Sequence, residues 1–475
     1  MLSFVNSFKE YNDHAIQKTM FKICFSLFLL VLTTQTLFSR DFITPPDTVS
    51  SMVDKTAALL MIEEGKTQFN EGKVRDALVK FREAAVKDPY TWRAPYWVSQ
   101  CHYAMNNYGL ALKYASEAVK LDDNEIDADV YELLGRSCHR IGSLDSAIVN
   151  YNIAITKLSP LRAKDLQLQL RIEQCMFAKA EFAGPNKSKR EDIKTLNSGY
   201  SDYCPIITGD GKSFYFTSRR SDTKGGSMNP DDQEFFEDTY YAQWNEETKD
   251  WDSLTNELGR INSDGFDAIT FISRDGLQGL MTVNTTATNA KKTTKGSDIF
   301  TFEMSSKGKW STPKRISSKS VNTSFFEGSA TMTTDGNTMY FVSDRKGDKS
   351  STDLYVSQKV GKSWGEAKAL PFTINTIGRE TTPFISGDGR YLFFSSDGHQ
   401  GMGGLDIYVV ENLGSTWGTP INLGIIVNTV NNDSHFQYYP EMKKAVMSSF
   451  EIIGQKASMD LYEVDMTNFV IPTGK

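Results

Sequence analysis

Thr382-Pro-Phe-Ile-Ser-Gly-Asp-Gly-Arg-Tyr-Leu-Phe-Phe-Ser-Ser-Asp397, followed shortly by Gly403-Gly-Leu-Asp-Ile-Tyr408, is the stretch that decides the fold of most of this 475-residue chain. Asp388-Gly389 reads as a turn, because glycine enters the left-handed region at no steric cost and Asp bonds its own backbone two residues on. Tyr391 to Ser395 and Leu405 to Val410 are short aromatic and β-branched runs bounded by Gly, Asp and Ser, the pattern of paired strands. The stretch therefore reads strand, turn, strand, Gly-rich loop, strand.

Moving outward, the same unit recurs. Asp238-Thr-Tyr240, Asp298-Ile-Phe300, Asp353-Leu-Tyr355, Asp406-Ile-Tyr408 and Asp460-Leu-Tyr462 follow one another at steps of 60, 55, 53 and 54 residues. Apolar-Asn pairs keep the same beat at Leu196-Asn197, Ile261-Asn262, Val321-Asn322, Ile374-Asn375 and Val427-Asn428. So do the turns Asp210-Gly211, Asp275-Gly276 and Asp335-Gly336, and the tryptophans Trp251, Trp310, Trp364 and Trp417. Glu441-Met442 stands in the turn position of the fifth unit. Five units of about four short strands predict a five-bladed β-propeller, each blade burying its apolar faces against its neighbours. A solenoid of β-coils is the competing architecture, but its repeats are much shorter. The five motif aspartates, recurring in every unit, point to a repeated structural task.

These residues resemble the WD40-like PD40 repeats of TolB-type propellers. Thr334-Asp-Gly-Asn-Thr-Met-Tyr-Phe-Val-Ser-Asp-Arg345 matches almost as well as the first stretch, whereas Gly279-Leu-Met-Thr-Val-Asn284 in the second unit departs from the aromatic pattern.

The N-terminal third carries a second repeat. Gly65, Ala77, Phe81, Ala84 and Pro89 recur as Ala111, Ala115 and Ala118, and again as Gly135, Ala147, Tyr151 and Ala154, with Pro160 behind. The residue types and the beat of about 34 residues are those of the tetratricopeptide repeat (TPR), in which small residues let paired helices approach and an aromatic fills the gap. Ser99 replaces the first-helix glycine in repeat two, and Met61 and Pro95 replace the usual aromatic. A last helix near 161–182 would cap the array. The predicted fold class is an all-α TPR array followed by an all-β propeller. The predicted division is a signal peptide at 1–39, a linker at 40–56, the TPR domain at 57–183, a polar linker at 184–196 and the propeller at 197–475.

The signal-peptide reading rests on the apolar run from Phe21 to Leu32, headed by Lys22, and on Met20 as an alternative start. Cleavage would follow Ser39. The competing reading is an uncleaved anchor over Phe21 to Phe38, near the lower limit for a membrane helix. Cys24 lacks the small residues of a lipoprotein box. A net charge of −7 without a basic block gives no footprint of nucleic-acid binding. Cys101, Cys138, Cys175 and Cys204 form no Cys-x-x-Cys pair, so buried thiols are expected rather than disulfides or zinc ligands.

No catalytic residue, cofactor or metal is expected. The competing enzymatic reading is a glycoside-hydrolysing propeller, with Asp344 and Asp397 converging on the channel, joined by Asp267 or Glu380. The Gly-rich loop Asp397–Asp406, which holds His399, reads either as a calcium loop or as the repeat's own turn; the turn is preferred. The TPR resemblance implies a concave groove formed by Lys66, Arg93, Tyr96, Gln100, Tyr103, Glu132, Arg136 and His139, a mixture of aromatic residues and arginine suited to protein partners. The order signal, TPR, propeller is similar to the N-terminal part of envelope proteins of Bacteroidota, one of them associated with type IX secretion. Those proteins continue into an OmpA-like domain that this sequence lacks, so peptidoglycan binding is not implied. The resulting expectation is a periplasmic scaffold or adaptor for envelope proteins.

Overall fold

In the computed structural model, residues 50–472 are described except 122–126, 227, 230–233, 285–295, 346–350 and 454–455. The segment 1–39 expected as a signal peptide, with Met20 and Cys24, lies outside the described residues. No helix among the described residues is long and apolar enough to cross a membrane.

Eight helices come first: α1 Met52–Asn70, α2 Val74–Lys87, α3 Arg93–Ala104, α4 Tyr108–Leu121, α5 Ala128–Arg140, α6 Leu144–Lys157, α7 Pro160–Asp165 and α8 Leu168–Ala183. Helix α1 starts where Ser51 accepts the Asp54 N–H, an N-cap that satisfies one free donor. Pro95 is tolerated because it falls in the first turn of α3, where no intrahelical N–H bond is lost. The pairs α1–α2, α3–α4 and α5–α6 are TPR hairpins. A Cβ on Gly65 would sit 2.6 Å from the Phe81 ring, and one on Gly135 2.5 Å from Tyr151, so glycine is what lets each ring lie against the facing helix. Ser99, in the equivalent place of repeat two, bonds the Ala111 carbonyl at 2.6 Å instead. Helix α8 covers the last hairpin with Leu168, Ile172, Cys175 and Ala178. The four described cysteines are buried free thiols.

Five antiparallel sheets follow. A short strand, β1 Arg190–Asp192, precedes them. Blade one comprises β2 Asp202–Ile207, β3 Ser213–Ser218, β4 Asp238–Asn245 and β5 Asp250–Thr255. Blade two comprises β6 Asp267–Ile272, β7 Gln278–Asn284, β8 Ser297–Glu303 and β9 Lys314–Arg315. Blade three has β10 Glu327–Met332, β11 Thr338–Ser343 and β12 Asp353–Val360, edged by β13 Ser363–Trp364 and β14 Lys368–Ala369. Blade four has β15 Glu380–Ile385, β16 Tyr391–Ser396, β17 Asp406–Glu411 and β18 Ile421–Asn422. Blade five has β19 Asp433–Tyr439, β20 Lys444–Ile453 and β21 Lys456–Asp465. The first strands touch in a closed cycle, β2 to β6 to β10 to β15 to β19 and back to β2, which is a five-bladed propeller.

The segment 184–196, expected as a linker, is corrected by the structure. Its β1 pairs antiparallel with β21, from Arg190 opposite Val464 to Asp192 opposite Tyr462. The chain before the first blade thus supplies the outer strand of the last one, closing the ring and covering an edge that would otherwise expose unpaired backbone groups.

The recurrent asparagines close each blade. Asn262, Asn322, Asn375 and Asn428 each accept a backbone N–H from the third strand of the preceding unit and donate to the carbonyl of that same residue: Thr239, Ile299, Leu354 and Ile407. Asn197 does the same to Leu461, tying the start of the propeller to its end. The tryptophans mark the outer hairpins, and two reach the blade before: Trp310 packs edge-on to Tyr215 at 6.1 Å and Trp417 to Tyr340 at 6.0 Å.

Candidate functional site: the cleft between the helical array and blade four

The motif aspartates Asp238, Asp298, Asp353, Asp406 and Asp460 are all buried. Asp238 accepts the Lys224 N–H and an Asn256 amide bond, Asp298 grips Arg315 at 2.6 and 2.9 Å, and Asp406 accepts the N–H groups of Met402 and Gly403. Each of these three holds loop or strand structure near its own blade.

The Gly-rich loop of blade four is where the helical array docks. His139 Nε2 lies 2.8 Å from the Met402 carbonyl, and Arg140 donates to the Val430 carbonyl at 3.1 Å. Gln174, fully buried, donates to the His399 carbonyl at 3.1 Å, and Glu181 accepts the Ile425 N–H at 2.9 Å. Apolar packing is continuous across the junction, since Met402 and Val430 join Cys138, Leu144, Tyr151 and Ile172 in one cluster. The glycines have a steric reason. A Cβ on Gly403 would lie 2.6 Å from the Val430 oxygen and 2.9 Å from His139, and one on Gly404 would collide with Asn431 and Arg140. His399 bonds the Ile374 carbonyl at 2.8 Å, and Asp406 is turned onto the loop's own N–H groups. No group of metal-ligating side chains occurs among the described residues.

Docking divides the predicted groove. Tyr96, Gln100, Glu132 and Arg136 line a cleft of about 510 Å3 whose opposite wall is Ile377, Gly378, Arg379 and Asp397 of blade four. Arg162, Asp165, Gln167 and Arg171, from α7, α8 and the turn between them, form its end. His139 is a correction: it is buried against the propeller, and burial, with Arg140 and Arg171 nearby, pushes its pKa down to about 3. Tyr103 is also withdrawn, lying under the Arg136 guanidinium at 4.4 Å. Burial alone would raise its pKa, but Arg140 and Arg136 pull it below the usual value. Lys66 bonds Glu63 at 2.7 Å and lies over Trp97, while Arg93 stacks on Trp92 at 4.9 Å; neither lines the cleft.

Within the cleft, charges are largely matched. Arg136 pairs with Glu132 at 2.6 Å, Arg379 with Asp397 at 2.9 Å and Arg162 with Asp129 at 4.0 Å. Burial works against ionisation of Asp397, but Arg379 and Arg171 outweigh it and hold its carboxyl below the ordinary range. Tyr96 donates no charge, since burial pushes its hydroxyl up to about 12. Ile377 stands 71% exposed at the lip. A cleft with paired charges, an aromatic wall and an exposed aliphatic lip suits an extended peptide of mixed composition, the chemistry of a protein interface.

The carboxylates considered for glycoside hydrolysis have other engagements. Asp344 accepts the Phe326 N–H at 2.8 Å, and Asp397 faces the helical array. Asp267 and Glu380 cap the loops before their strands through Ser263 and Thr376. None of the four lines the cavity at the mouth of the propeller channel.

No family model and no curated protein matches the chain. Among solved structures, it is similar to the Yersinia enterocolitica type III secretion chaperone SycD in complex with a peptide of the translocator YopD, at 19% identity over 27% of this chain and 99% of that one, with a TM-score of 0.25. It is also similar to the first TPR domain of human RPAP3, at 21% identity over 27% of this chain and 99% of that one, with a TM-score of 0.25. A third likeness is a T3SS complex from Aeromonas hydrophila, at 18% identity over 28% and 91%, with a TM-score of 0.25. Likenesses of this size carry no functional argument.

Proposed function

We propose that this chain is an exported, non-enzymatic adaptor that holds an extended segment of a partner protein in the cleft between its TPR array and blade four. TPR and propeller folds both favour protein–protein interaction, and the observation that carries the reading is the composite cleft itself. Tyr96, Gln100 and Arg136 from the helices face Ile377 and Arg379 from the propeller across one cavity. A partner must therefore satisfy both domains at once. The recurrent aspartate, Asp-Gly and asparagine positions support relationship to PD40 repeats of TolB type. With the apolar run at Phe21–Leu32, they support placement in the periplasm of a Bacteroidota-like envelope, beside an envelope or type IX secretion-like complex. No nucleic-acid or peptidoglycan partner is proposed.

The test is crosslinking in cells followed by affinity capture, comparing the wild type with Ile377→Asp/Arg162→Glu. Both changed residues are exposed at the rim, so the fold is preserved. Loss of one specific envelope protein from the catch is expected; an unchanged catch rules the cleft out. N-terminal sequencing of the exported chain should find a mature terminus near Arg40, and retention of residues 1–39 would contradict cleavage.

A further inference from the structure

The end of the propeller away from the helices carries a second cavity. The innermost strands converge there, with Ile207 ending β2, Ile272 ending β6, Ile385 ending β15 and Tyr439 ending β19. The docked helices, by contrast, meet the loop before β19 and the loop after β16, at the opposite ends of these strands. The cavity measures about 550 Å3 and is walled by Phe271, Met332, Phe384, Tyr391 and Tyr438. It is a blind cup. Beneath it, Cys204, Thr270, Ser329, Thr382 and His435 close on a space of only about 10 Å3. Three of these lock onto a neighbouring blade: the N–H groups of Cys204, Ser329 and His435 donate to the hydroxyls of Ser448, Thr282 and Thr382.

The polar groups at the rim are already engaged. Ser273, Thr333 and Ser386 donate to Asp275, Asp335 and Asp388 of their own turns. Arg274 is paired with Glu441, and the Tyr439 hydroxyl donates to Gln437. The cup therefore offers an occupant mainly aromatic and aliphatic surface, in a volume suited to a few side chains.

The chain itself shows what enters. Phe469 packs edge-on to Tyr438 at 5.9 Å, and Ile471 then forms part of the cup wall beside Phe384 and Tyr438. Val470 between them is 83% exposed. Among the described residues, no hydrogen bond holds Val470, Ile471 or Pro472. Half-covering one aliphatic side chain gains no more than ordering this short segment costs, so the strap is weakly held, near balance between bound and released at best.

We propose that the cup is a binding site for an extended peptide carrying a branched aliphatic side chain, and that the chain's own Phe469–Pro472 strap occupies its rim and competes with that peptide. The proposal extends the adaptor reading to the second face of the propeller, yet its geometry is independent of the cleft.

The probe is a fluorescein-labelled peptide of this chain's own sequence 466–475, titrated into the full-length wild type and into full-length Ile471→Asp and followed by anisotropy. The variant changes a side chain near the end of the chain, outside every strand, so folding is preserved. Ile471→Asp is expected to bind the peptide about twofold more tightly than the wild type, because a strap near balance blocks about half of the cups. A peptide carrying the same Ile471→Asp change is expected to bind neither protein. Equal affinity for the two proteins, binding by neither, or binding that survives the change in the peptide overturns the proposal. So does a variant that self-associates without taking the peptide. Ile377→Asp, which disables the cleft, should leave this titration unchanged, so failure of one site is separable from failure of the other.

Discussion

At the scale of single residues, the structure explains where the repeat departs from its own pattern. Gly211, Gly276, Gly336 and Gly389 take φ between 65° and 72° in the turns of the first four blades. In the fifth, Lys443 takes φ 54° in the turn after Glu441-Met442, exposed and with its backbone bonded to Pro440 and Met466. An L-residue in that region costs about 1–2 kcal/mol, partly offset by the extra chain entropy that glycine loses on folding. Lys443→Gly should therefore stabilise the chain by about 0.5 kcal/mol, read as a higher urea midpoint at unchanged slope. A second prediction concerns Glu380. Burial pushes its pKa from 4.5 up to about 7, against the hydrogen bonds from Ser396 and Thr376. The folded chain holds a proton that the unfolded chain has released, so the stability from this group is full below about pH 4.5. It is lost as pH rises to about 7, by about 3 kcal/mol in all. Glu380→Gln should remove that slope in urea titrations between pH 5 and 7; an unchanged slope assigns it to Asp238 or Asp267, which are also raised, to about 6.

At the scale of elements, two devices recur and both are exposed to single substitutions. In the helices, the aromatic ring against glycine sets the distance within the first and third hairpins. Gly135→Ala would drive its methyl into the Tyr151 ring, at a cost of about 1–3 kcal/mol by overpacking. The melting temperature would fall, while the compensating double change Gly135→Ala/Tyr151→Leu should recover part of the loss. In the propeller, the asparagine clamp joins one blade's third strand to the segment entering the next. Asn375→Ala would leave the Leu354 N–H and the Leu354 and Leu370 carbonyls without that partner in a buried setting. The expected loss is about 2–4 kcal/mol, with hydrogen exchange speeding first at Leu354. Exchange that speeds equally in all five blades would contradict a local clamp.

At the scale of the whole molecule, the helical array and the propeller share one apolar cluster and several buried hydrogen bonds, so they should unfold together. Calorimetry at pH 7.5 is expected to show a single transition, and Gly404→Val, which forces blade four away from Arg140, should split it in two. Acid should act on the same junction. His139 stays neutral in the folded chain down to about pH 3, whereas the unfolded chain takes up a proton below about 6.5. Docking stability is therefore present above pH 6.5 and lost as pH falls from there towards 3.

The sequence alone determined the repeat types, their number and order, and most of the turn chemistry, because these depend on local geometry. A glycine at a left-handed turn, a small residue facing a ring and an aspartate repeated in register are each dictated within one unit. Half of the groove was legible in the same way: Tyr96, Gln100, Glu132 and Arg136 do line the cleft. Its other wall was not, because Ile377, Arg379 and Asp397 lie more than two hundred residues away, and the one of them that the pattern marks, Asp397, points in the sequence to the propeller channel rather than to the helices. The run Gly401–Gly404 was the one visible signal, and its pattern reads as the repeat's own turn, with nothing in it to show that His139 and Arg140 press against it. Only the tertiary structure decided that the linker becomes a strand of blade five, that His139 is a docking anchor rather than a groove residue, and that the cleft belongs to two domains. Those outcomes depend on which surfaces meet, and a single strand or helix pattern records its own buried face but not what will cover it.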